Sequence, residues 1–162
     1  MKNFSFRVWV FVGAVALMMG CGEDGSGGGG GSGGNGDCPT GQVSCDGVCI
    51  DEVAPTLTAI QSGVFAVSCT ASSCHDANNP QANLDLSSIA ASETNLINVE
   101  ADQVAELRVT PGDPDASYLM NKLLGVDMAE GTDRMPQGDP DGLCEPKLEA
   151  VRQWILDDAP IE

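Results

Sequence analysis

The single histidine of this 162-residue chain directly follows a cysteine, in the string Cys69-Thr70-Ala71-Ser72-Ser73-Cys74-His75. Two thiols and an imidazole in that order are a stretched form of the Cys-x-x-Cys-His pattern through which c-type haem is attached. The chemistry sets the order. Each thiol adds to one vinyl group of a porphyrin, and the imidazole beside the second thiol is held under the iron as its proximal ligand. Four residues separate the cysteines here instead of two. The same residues also fit a small Cys69–Cys74 disulfide with His75 as a bystander. Other chemistry is poorly served. A zinc site with one histidine would have to recruit Cys144 or carboxylates. A Cys-His pair adjacent in sequence lacks the geometry for base activation, and no third orienting group is identifiable, so no catalytic residue is assigned.

The elements around this string divide the chain into four parts. Residues 1–20 carry Lys2 and Arg7, then an apolar run from Val8 to Met19 that is too short to span a bilayer and fits a signal peptide. The run ends in Leu17-Met18-Met19-Gly20-Cys21, which resembles a bacterial lipobox, so Cys21 is the expected lipidation site. Several acyl chains on one cysteine would anchor the protein stably. Gly22 after that cysteine lacks the inner-membrane retention signal and favours the outer membrane, on its periplasmic or cell-surface face. Residues 21–37 are rich in Gly and Ser and form a flexible tether with an r.m.s. reach of roughly 20 Å. Residues 38–54 form a Cys-rich loop segment, with a short hairpin across Asp46-Gly47. Residues 55–162 form the main domain.

Cysteine number fits an oxidising compartment. With Cys21 lipidated and Cys69 and Cys74 set aside, Cys38, Cys45, Cys49 and Cys144 remain for two disulfides, whose pairing the sequence leaves open. Lys2 and Arg7 leave with the signal, so 24 acidic residues then face five basic ones, a net charge of −19. That excludes nucleic acid and anionic headgroups as partners; it suits a basic protein partner, or simple solubility. The membrane is touched through the lipid anchor alone. Only Phe65, Tyr118 and Trp154 remain as aromatics, a thin supply that a buried porphyrin would supplement.

Helical periods place the candidate residues. Leu57, Ile60, Val64 and Val67, with Phe65, predict a helix from Pro55-Thr56 into the cysteine string, and Gly63 offers a close crossing point. Ser87 or Ser88 caps a short helix. Leu107 to Thr110 reads as extended, Pro111-Gly112-Asp113-Pro114 as a turn, and Tyr118 to Leu124 as a helix stopped by Gly125. Met120 belongs to its core face. A long loop holds Met128 and Arg134-Met135-Pro136. A last helix starts near Glu145-Pro146 and buries Leu148, Val151, Trp154 and Ile155.

This order resembles a class I cytochrome c, mainly α. The string from Arg108 to Leu119, with Lys122-Leu123, Arg134-Met135-Pro136 and Trp154-Ile155, looks like the planctomycete-type cytochrome c domains of exported bacterial proteins over about residues 56–159. The resemblance implies one covalent haem c held by Cys69 and Cys74, His75 as proximal ligand and Met135 as distal ligand, with Met128 in reserve. It implies a membrane-tethered monohaem electron carrier serving redox protein partners. The alternative of a different class is a haem-free, disulfide-stapled binding or adhesion lipoprotein of the cell surface.

Overall fold

The computed structural model describes residues 38–162. The signal peptide, Cys21 and the tether lie outside the described residues.

The chain enters through a hairpin. Strands β1 (Gln42–Cys45) and β2 (Val48–Asp51) pair antiparallel, with Cys45 opposite Val48. Asp46 and Gly47 between them both have positive φ, the backbone of the tight hairpin turn that an Asp-Gly pair favours. Two disulfides fix this segment. Cys38 is bonded to Cys49 within the hairpin, and Cys45 is bonded to Cys144 just ahead of the last helix.

Beyond the hairpin the domain is small and mainly helical. Helix α1 runs through three segments, Leu57–Ile60, Gln61–Phe65 and Ala66–Ser68, the middle one a π-turn. Thr56 caps it by accepting from the Ala59 amide at 3.3 Å. A π-turn inserts one extra residue into the helical period. That insertion corrects the predicted stripe: Leu57, Ile60, Val64 and Phe65 are buried, but Val67 is rotated outward and 69% exposed. Gly63 is also corrected. Its missing Cβ makes room for Val53, whose Cγ2 would lie 2.8 Å from it, and not for a crossing helix.

Helix α2 (Ile89–Leu96) is capped by Ser88, which accepts from the Ala91 amide. The extended segment after it forms only isolated bridges, Ile97 with Val109 and Glu100 with Leu107. Pro111, lacking an N–H, prevents the ladder from continuing. Helix α3 (Tyr118–Leu124) ends at Gly125 in the left-handed conformation. Helix α4 (Glu145–Leu156) carries Pro146 in its first turn and buries Val151, Trp154 and Ile155. The core joins α1 to α4 through Leu57, Ile60, Val64, Phe65, Trp154 and Ile155, with Leu86, Val109 and Met120 beside them. Trp154 Nε1 donates to Pro160 O at 2.8 Å, satisfying the one polar atom it buries. Among the described residues, no helix is long and apolar enough to cross a membrane.

Candidate functional site

A cavity of about 300 Å³ lies beside this core. Phe65 and Cys69, from the end of α1, form one side. Leu84, Leu86 and Leu96 supply apolar wall, Tyr118, Lys122 and Leu123 come from α3, and Met135 comes from the loop before α4. His75 and Arg108 complete the lining relevant to chemistry.

Hydrogen bonds set each of these positions. Gln61, in the π-turn, donates through Nε2 to Leu86 O at 2.8 Å and accepts from Ser92 Oγ at 2.7 Å. That buried pair ties α1 to α2 and fixes the wall at Leu86. The turn after α1 closes on itself: His75 N donates to Cys69 O at 3.1 Å and Cys74 N to Ala71 O at 2.8 Å. Leu86 N then donates to His75 O at 2.9 Å, which brings the Leu84–Leu86 strip against the imidazole. His75 Nδ1 lies 3.1 Å from Leu84 O. A carbonyl only accepts, so Nδ1 carries the proton. On the opposite side Met135 N donates to Lys122 O at 2.8 Å and Arg134 Nε to Leu123 O at 2.9 Å, which clamps the methionine loop to α3.

The electrostatics favour neutral groups. Burial pushes the Cys69 thiol up to about 12, with the nearby Cys74 adding to the rise and Lys147 opposing it. Burial also lowers His75 below its ordinary 6.5, against the pull of backbone hydrogen bonds to Leu84 and Gln81. Burial lowers Lys122, against Asp133. At neutral pH the Cys69 thiol is therefore protonated, and little nucleophilic thiolate is present.

His75, Met135 and Cys69 thus share one cavity, whereas Cys74 is not part of its wall. Its Sγ sits 3.9 Å from Ser73 Oγ on the turn outside. Met128 is half-buried and also outside the wall. Met120 is 1% exposed and belongs to the core.

The haem expectation is corrected. Covalent attachment takes two reduced sulfurs on one cavity wall. Cys45 and Cys144, which with Asp46 make the one His/Cys/Asp/Glu cluster of metal-binding size among the described residues, are joined in a disulfide; neither sulfur can form a thioether or hold a metal. Cys38 and Cys49 are paired likewise. Cys69 and Cys74, the pair assigned to the porphyrin, are free thiols, and only Cys69 reaches the cavity. Haem c, its iron with His75 and Met135 as axial ligands, and electron carriage are withdrawn together. The Cys69–Cys74 disulfide is absent as well.

Two cavity residues, Arg108 and Lys122, carry no role in the sequence-based assignment. Lys122 follows Tyr118 by four and Leu119 by three, so it sits on the apolar face of α3, where a lysine is out of place. Arg108 gave no such clue, because its burial depends on three distant carbonyls. No protein-family model, curated protein or solved structure matches this chain.

Proposed function

We propose that the protein is a haem-free, disulfide-stapled binding module that works outside the cytoplasm, tethered by lipid on Cys21 at the outer membrane. The observation that carries this reading is the cavity of about 300 Å³, walled by Phe65, Leu84, Leu86, Leu96 and Leu123 with a few polar groups among them. Concave, mostly apolar pockets with a small number of placed polar groups are how proteins hold small molecules. The disulfides support an exported setting, as does the acidic balance of 24 Asp and Glu against seven Lys and Arg, which suits a basic protein surface and not nucleic acid. The helical order, with α1 first, α4 last and the Met135 loop between α3 and α4, supports a class I cytochrome c-like chain course put to a different use.

Two measurements test the reading. The first is the mass of the exported protein from a host with working cytochrome c maturation. The expected mature chain is colourless, with two disulfides and with Cys69 and Cys74 alkylatable after unfolding. A haem adduct on the Cys69–Cys74 peptide overturns it. The second is N-phenyl-1-naphthylamine fluorescence, which is expected to report one saturable site that Leu84→Trp closes without loss of melting temperature. Unchanged binding in that variant places the site elsewhere.

A further inference from the structure

Lys122 is 8% exposed and Arg108 6%, yet the chain is strongly acidic. Of the five basic residues beyond position 20, these are the two that are buried, and both line the cavity. They are partnered differently. Arg108 forms an ion pair with Asp102 at 3.1 Å and donates to Ala82 O, Asn83 O and Asn95 O. Its charge is matched. Lys122 forms no salt bridge among the described residues; its Nζ donates to the backbone carbonyl of Asp133. The Asp133 carboxylate is engaged by Gln137 Nε2 at 2.6 Å. An ammonium has three donors, so two remain for other acceptors.

A buried charge without a counter-charge is costly, and a fold retains one where something else supplies the opposite charge. We infer that the cavity takes a small acid, with its carboxylate seated at Lys122 and its apolar body against Phe65, Leu84, Leu86 and Leu123. This rests on the cavity being a ligand site. A carboxylate would give Lys122 the direct ion pair that Asp102 gives Arg108, since among the described residues no acidic oxygen lies within salt-bridge distance of the Lys122 Nζ. A ligand cation would compete with the protein's own cations: Asp102 is paired with Arg108, and Asp133 lies where its charge acts on Lys122. A cavity of about 300 Å³ lies at the small end of ligand pockets, which suits a medium-chain or aromatic acid.

The test is calorimetric titration of the folded, disulfide-intact protein with octanoate, octanol and octylamine, whose tails are alike. Octanoate is expected to bind at least tenfold tighter than octanol, and octylamine more weakly than either. Lys122→Met is expected to bring octanoate to the octanol level, and Lys122→Arg to keep the preference. Equal binding of octanoate and octanol by the natural chain, or a preference for octylamine, overturns the acid assignment and leaves the cavity reading standing. This comparison needs no variant. If none of the three binds, the cavity reading falls with it.

Discussion

A neutral histidine inside a fold leaves a trace in its pH dependence. His75 is depressed below 6.5 by burial, so between its folded value and 6.5 the unfolded chain binds the extra proton. Stability therefore falls as pH drops through that window and levels off below it. In urea unfolding between pH 7 and pH 5, the natural protein is expected to lose more stability than His75→Gln; parallel losses would refute a neutral buried imidazole. Cys69 gives a second residue-scale outcome. Burial and a thiol pushed up to about 12 leave little thiolate at pH 8. Iodoacetamide should label Cys69 at least tenfold more slowly in the folded protein than in urea, as peptide mapping reads it. The chemistry of single residues was only partly legible in the sequence. Cys69, His75 and Met135 do meet at one cavity. That Cys74 is not part of the cavity wall goes with the turn from Cys69 to His75, whose hydrogen bonds no spacing pattern records.

At the scale of elements, the caps and periods carried most of the information. Ser88, Gly125 and Pro146 each mark the helix end that their chemistry dictates. The π-turn in α1 was hidden because it is selected by the buried Gln61 bridge to Leu86 and Ser92, a long-range contact. Gly125 makes a sharp test. Its φ is +74°, and a Cβ there would lie 3.0 Å from Arg134 Cδ. Gly125→Ala should cost about 1–2 kcal/mol, since alanine must adopt a left-handed backbone and displace the side chain that pins the Met135 loop. Denaturant unfolding would report the loss. Trp154, fully buried between α1 and α4, is the larger anchor: Trp154→Ala should remove about 3–5 kcal/mol.

At the scale of the whole molecule, covalent cross-links do what a small core leaves undone. Cys45–Cys144 closes a loop of sequence separation 99, and Cys38–Cys49 one of 11. By chain entropy the longer closure is worth roughly 4–5 kcal/mol and the shorter about 3 kcal/mol or less. Cys45→Ser with Cys144→Ser should therefore lower the urea midpoint more than Cys38→Ser with Cys49→Ser. The sequence supplied the four participants, but their pairing follows from the hairpin register, which points Cys45 at α4 and is invisible in composition.

That longer bridge also sets how the molecule answers a pull. Tension applied between residue 38 and residue 162 runs along the hairpin, crosses at Cys45–Cys144 and continues down α4. The intervening stretch, which includes every residue that lines the cavity, hangs as a slack side branch. Stretched by its ends, the protein would lengthen only through the residues before Cys45 and after Cys144, α4 among them, while the stretch between the two cysteines stays out of the line of force.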